Sequence, residues 1–399
     1  MSIAAASGGS KRRRGLGDLH DDVLERVLAR LPPSAFFRLR SVCRRWRAAA
    51  SSPTFLHACS LLPSRDPWFL MLSSHSPPIA FDAADRSWIL PSRASAAAAT
   101  DAAVPVASSG GLVLYRSPHT GALSVSNPLT GATRALPSPP GTAAPLHAVA
   151  MYGSPYRVAL FAGDIHDGMS MAVFDSSTAT WAPPLALSRK AAPPHAAAAD
   201  DTAEVVYFLS KSGDVVSTNM QRSASKQYSS AVVTSSSGGV TAYFLSDSGT
   251  VVACDTARRE YAELPRILPV YFEYSVDVVA CGGAAYAVVL AEQLDTASLR
   301  VWEFVAAGDG DGEWRQVAAM PPAMSHAFYG RKADVNCAGH GDRLMVCVSS
   351  GDGEANGCFM CDVSNNRWEE LPECVNSDGV EVNDFLAAFS FEPRLEITV

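Results

Sequence analysis

Two hydrophobic rhythms divide this chain. Val23, Leu24, Val27, Leu28 and Leu31 recur at helical spacing behind Asp21 and Asp22. That spacing lays an apolar stripe along one helix, and the two carboxylates suit its positive end. Pro32 and Pro33 stop the helix, because proline lacks a backbone donor and restrains the residue before it. Phe36, Phe37 and Leu39 predict a second short helix, and Val42, Cys43 and Trp46 share a face of a third that starts near Ser41 and runs to Pro53. Three helices this short bury little against one another, so the segment is expected to complete its burial on another protein.

Beyond residue 63 the helical period disappears, and short apolar runs alternate with Gly, Pro, Asn and Asp. One unit recurs: a strand ending in Asp or Asn, a polar turn, then an aromatic residue and a proline. Ile79-Ala-Phe-Asp82 leads to Trp88-Ile-Leu-Pro91, and Val173-Phe-Asp175 to Trp181-Ala-Pro183. Val252-Ala-Cys-Asp255 leads to Tyr261-Ala-Glu-Leu-Pro265, and Phe359-Met-Cys-Asp362 to Trp368-Glu-Glu-Leu-Pro372. Looser copies centre on Asn127, Asn219 and Glu303. The anchors at 82, 127, 175, 219, 255, 303 and 362 are 36 to 59 residues apart, the spacing of four-stranded propeller blades.

A second marker, one or two glycines ahead of an alternating strand, appears at Gly110-Gly111, Gly238-Gly239, Gly282-Gly283 and Gly339 to Gly341. In each unit the aromatic ring is expected to pack between blades and the Asp to cap its turn. Seven anchors favour seven blades; six is the alternative, with the 219 unit a strand within a larger blade. Ala388-Phe-Ser-Phe391 suits closure of the ring, with Asp66-Pro-Trp68-Phe-Leu-Met-Leu72 as a candidate neighbour.

The helical segment resembles the F-box family. Leu19, Leu24, Val27, Leu28, Leu31, Leu39, Arg40, Val42, Cys43, Trp46 and Phe55 occupy matching positions, and His20 stands where the family generally has proline. The resemblance implies docking on a Skp1-type adaptor, and through it on a cullin-RING ubiquitin ligase. The docking residues would be Leu19, Leu24, Val27, Leu28, Leu31, Phe37, Leu39, Val42, Cys43 and Trp46. The body resembles kelch repeats over roughly residues 63 to 399, more loosely, since several units lack the tryptophan or the glycine pair. That order of modules is similar to plant F-box kelch proteins. The expected architecture is mainly β: a disordered basic tail over 1–14, a three-helix module over 15–62 and a kelch-type propeller over 63–399.

Charge sharpens this division. The net charge of -8 hides a basic arm, since residues 11 to 50 hold 11 Lys or Arg against 4 Asp or Glu. An acidic partner or nucleic acid would be drawn to that arm, while a solvated helix face and tail would look the same. The acidic remainder argues against DNA as a ligand of the large domain. Lys11, Arg12, Arg13 and Arg14 could serve as a weak nuclear import signal. With no bilayer-length apolar run and no signal-peptide core in the first fourteen residues, a soluble protein of the nucleus or cytoplasm is expected.

Nine cysteines at irregular spacing read as reduced thiols. Cys358 and Cys361 form an isolated Cys-x-x-Cys that Cys337, Cys347 and Cys374 do not extend into a zinc pattern. No phosphate-binding loop, His-Glu-x-x-His or nucleophile elbow occurs. Asp309-Gly-Asp-Gly-Glu313 reads as a hairpin insertion rather than a calcium loop. Neither catalytic, metal nor cofactor residues are expected. His326, Tyr329 and His340 fall in a patterned stretch that resembles plant F-box kelch proteins, although no spacing assigns them a ligand.

The expected role is that of a substrate-recognition subunit of a Skp1-cullin-F-box ubiquitin ligase, a non-catalytic adaptor whose propeller binds a client protein for ubiquitination. The alternative is a transcriptional co-regulator whose propeller recruits a DNA-binding factor, with degradation optional. Client contacts are expected in loops such as Ala94 to Ala103, Ser188 to Asp200 and Val305 to Glu313.

Overall fold

The structure is a computed structural model. It describes residues 20–49, 51–73, 78–89, 103–140, 144–190, 207–209, 215–217, 221–222, 230–236, 239–246, 249–268, 274–293, 295–306, 312–350, 353, 355–376, 379–382 and 385–399. The chain divides into two compact units, Met1–Arg65 and Asp66–Val399.

The first unit holds four helices rather than three: α1 (Asp21–Ala29), α2 (Pro33–Leu39), α3 (Arg44–Ala49) and α4 (Pro53–Ser60). Pro53 ends one helix and opens the next, because a proline at the first helical position has no amide to leave unpaired. The Ser52 side chain caps α4, accepting the Phe55 N–H (3.0 Å). The same hydroxyl donates to Glu25 Oε1 (2.6 Å) and so ties α4 to α1. Leu24, Leu28, Phe36, Phe55 and Cys59 form the centre, with the Phe36 and Phe55 rings stacked 5.1 Å apart. The Arg65 guanidinium closes the C-terminal end of α1 by donating to the carbonyls of Ala29 (2.8 Å) and Leu31 (3.2 Å).

The second unit is a propeller of six blades, each built on four antiparallel strand positions, with the short strands Ser188–Arg189 and Gln221–Arg222 added in parallel to the fourth and fifth. From the axis outward, blade 1 is Phe385–Phe391, Trp68–Ser73, Ile79–Asp82 and Ser87–Ile89. The inner strands of blades 2 to 6 are Val104–Ser109, Leu146–Tyr152, Val232–Ser236, Tyr274–Cys281 and Asp334–His340. Closure falls where the sequence places it: Trp68 pairs with Phe391 and Met71 with Ala388, so the last strand completes the first blade. That arrangement pairs an edge that would otherwise be open.

The preferred count of seven blades is therefore corrected to six. The chain around Asn219 builds no blade among the described residues. Val215–Ser217 pairs with Tyr207–Leu209 in a two-stranded hairpin, and Gln221–Arg222 lies parallel to the start of the blade 5 inner strand. Two strands cannot span the radius that four fill elsewhere. The anchors at 175 and 255 thus belong to consecutive blades, 3 and 4, with the extra chain between them.

The repeat unit has a physical job in each half. Asp82, Asp175, Asp255 and Asp362 end the third strands of blades 1, 3, 4 and 6, and Asn127 directly follows that of blade 2. Each accepts, through Oδ1, backbone N–H groups two or three residues on: Ala84 (2.9 Å), Leu129 (3.0 Å), Ser177 (2.9 Å), Ala257 (2.9 Å) and Asn365 (3.1 Å). Four residues after each anchor the backbone is left-handed, at Arg86, Gly131, Ala179, Arg259 and Asn366. The Ser177 hydroxyl, the Ser177 N–H and the Arg157 guanidinium hold the Asp175 carboxyl at about 2, well below its ordinary value. The glycine marker is the hairpin from inner to second strand. Gly111, at φ +95°, also sits where a Cβ would come 2.8 Å from the Glu392 carbonyl oxygen.

The aromatic and the proline turn out to be halves of one link between blades. The Trp88 indole N–H donates to the Pro372 carbonyl (2.7 Å), Trp181 to Pro137 (2.9 Å) and Trp314 to Pro265 (2.7 Å). In each case the tryptophan of one outer strand grips the proline that ends the outer strand of the blade before it. Tyr261 reaches instead to the Ile165 carbonyl (2.9 Å). At the axis, Cys337 N–H donates to Asp277 Oδ2 (2.7 Å), Ser390 to the Gly339 carbonyl (2.6 Å), and Ser108 to the Ser390 carbonyl (2.6 Å). Blades are thus joined at both rims, with apolar clusters between them.

Candidate functional site

The helical unit offers the first candidate surface. A helix advances 100° per residue, so the stripe on α1 is two adjacent rows rather than one. Leu24 and Leu28 point inward and are 1% exposed, whereas Val23 (41%) and Val27 (43%) face solvent. Leu24 and Leu28 are therefore core residues of the helical unit, although the resemblance places them among the adaptor-docking residues. Val42 is 67% exposed in the α2–α3 turn, Cys43 beside it is exposed, and Leu61 after α4 is 70% exposed. Leu31, Phe37, Leu39 and Trp46 are half-buried. Leu19 lies outside the described residues.

The same unit carries exposed positive charge. Arg26, Arg30, Arg38, Arg44 and Arg47 are exposed on the same small unit, and the Arg40 guanidinium lies 5.5 Å over the Phe37 ring. Arg45 pairs with Asp21 (2.7 Å) and fastens α3 to α1. His20, in the position before α1, makes no side-chain cap and contacts Asp22 Oδ1 instead (2.8 Å).

The propeller offers a second candidate. Its six inner strands surround a cavity of about 320 Å³ on which Ser108, Met151, Val233, Asp277, Cys337 and Ser390 each represent one blade. Asp277 is committed to the backbone, accepting from Val278 (2.9 Å) as well as Cys337. His340 approaches Glu392 (3.6 Å), whose other oxygen accepts from Arg394 (2.7 Å). His326 instead stacks on Tyr329 at 5.9 Å, far out on the connection from blade 5 to blade 6. Tyr329 donates to Asp295 Oδ1 (3.0 Å), which raises its phenol above the ordinary range. The three residues of the patterned stretch do not converge on one point.

The Cys-x-x-Cys is not a working pair. Three residues apart on one strand, the two thiols face opposite sides of the sheet. Cys358 packs between blades 6 and 1 and Cys361 between blades 5 and 6. Cys358 instead meets Cys347, its cross-strand partner, with sulfurs 2.6 Å apart. Burial pushes the Cys281, Cys361 and Cys374 thiols up to about 12, which leaves little thiolate for metal binding or nucleophilic attack. Of the loops expected to touch a client, Val305 pairs with Glu313 at the hairpin between the third and fourth strands of blade 5. Residues 94–102, 191–200 and 307–311 lie outside the described residues.

The chain thus carries a small helical unit followed by a closed six-bladed β-propeller. Residues 16–58 match the F-box domain family. F-box only protein 13 of Arabidopsis thaliana is 43% identical over 96% of this chain and 86% of its own length. An F-box/kelch-repeat protein of Arabidopsis thaliana is 36% identical over 31% of this chain and 30% of its own. Protein UNUSUAL FLORAL ORGANS, also of Arabidopsis thaliana, is 34% identical over 29% of this chain and 30% of its own. The chain belongs to the F-box proteins. Members of that family act as substrate receptors of Skp1-cullin-F-box ubiquitin ligases and are typically non-catalytic adaptors.

Proposed function

We propose that this chain is the substrate-recognition subunit of a Skp1-cullin-F-box ubiquitin ligase, acting in the nucleus or cytoplasm. Its helical unit docks on a Skp1-type adaptor and its propeller holds a client protein. The supporting observation is the divided stripe: Leu24 and Leu28 build the fold while Val23, Val27, Val42 and Leu61 are exposed. Exposed apolar side chains on a unit rich in exposed arginines suit an acidic partner that supplies the missing cover. The chemistry left to this chain is proximity, since holding a client beside a transferring enzyme raises its local concentration without a reacting group here.

The test separates docking from folding. Val27→Asp with Val42→Asp is expected to lose co-purification with a Skp1-type adaptor by at least roughly tenfold while keeping its helical circular dichroism. Leu28→Asp buries a charge in the core and should lose both. Equal adaptor binding by the valine double variant would reject the surface.

A further inference from the structure

Among the described residues of the propeller, three large apolar side chains are exposed: Tyr329 (38%), Val375 (44%) and Val380 (59%). All three lie on the connections entering and leaving blade 6. Because each inner strand starts where a connection ends, both connections share one face of the ring. The second of them is a small hairpin. Val375 bridges Glu381, and the Asn376 N–H donates to the Val380 carbonyl (2.9 Å) while Asn376 Oδ1 accepts the Val380 N–H (2.9 Å). Its feet are fixed: Cys374 (5%) and Val382 (4%) are buried between blades 6 and 1, joined by the Val382 N–H to the Cys374 carbonyl (2.8 Å).

A hairpin anchored this firmly has no need to show two valines to water for its own stability. The charge along this segment of chain has one sign. Glu381, bridged to Val375, and Glu373, two residues before it, are exposed, and no Lys or Arg occurs between Arg367 and Arg394. We infer that this hairpin is a docking edge for a client segment that sets an apolar side chain between basic ones. The valines would cover the apolar group and the glutamates would meet its flanks. The inference rests on the reading that the propeller presents a client.

The full chain, purified with its adaptor, can be titrated by fluorescence anisotropy with three short labelled peptides. One carries leucine and valine between lysine pairs, the second replaces those two with glycine and serine, and the third replaces the lysines with glutamates. The first peptide is expected to bind tightest. Val375→Asp with Val380→Asp should weaken it roughly tenfold without altering the melting temperature, since both side chains are exposed. Glu373→Lys with Glu381→Lys should shift the preference to the glutamate peptide. Equal binding of the first two peptides, unchanged affinity in the valine variant, or no binding by any peptide overturns the proposal. Peptide binding that persists while the adaptor is lost rejects only the ligase reading and leaves the docking edge standing.

Discussion

Asn127 occupies a position that four other blades fill with aspartate, and the difference is one of hydrogen-bond donors. Its Oδ1 caps the turn as the aspartates do, while its Nδ2 donates to the carbonyls of Arg394 and Ile397, both at 2.9 Å. A carboxylate has no hydrogen to give. Asn127→Asp should therefore free two carbonyls of the C-terminal segment and set a buried charge against them, costing about 2 kcal/mol in a urea titration. Asp255→Asn keeps its cap and should stay within about 1 kcal/mol of the parent. The cap itself is legible in the sequence, because its partners are two and three residues away. The choice of amide over acid is not, since those carbonyls lie 267 and 270 residues further along.

At the scale of elements, the aromatic-proline unit reads as one strand end but works across two. The tryptophan belongs to one blade and the proline carbonyl it grips to the blade before. Local reading sees both halves and cannot see that they pair out of step. Trp181→Phe keeps ring contact with Phe174, 5.5 Å away, and loses only the indole donor, so a loss of about 1 kcal/mol is expected by chemical denaturation. Trp181→Ala also gives up the half-buried ring and should cost about 2 kcal/mol. The rows of α1 follow the same logic. Periodicity finds the apolar side of a helix, but only the placement of α4 decides that Leu24 and Leu28 are covered while Val23 and Val27 are not.

For the molecule as a whole, the ring is closed by its last strand. Phe391 is 2% exposed and meets Trp68 edge to face at 6.0 Å, so the first blade takes its axial strand from the far end of the chain. Deleting residues 385–399 should expose the Trp68–Ser73 edge and unpair the Ser108 and Asn336 donors that reach this strand. The expected outcome is an aggregating chain that binds a hydrophobic dye and has lost its cooperative melt. A truncated chain that stayed monomeric with an unchanged melt would show that closure is dispensable.

Local patterns settled the position of the helical module, the strand repeat, the capped turns and the segment that closes the ring, because each is carried by residues near one another in the chain. The number of blades, the division of α1 into core and surface, the partners of each tryptophan and the face on which Val375 and Val380 emerge were decided by folding. Those properties depend on groups that are distant in sequence and meet only when six sheets are packed around one axis.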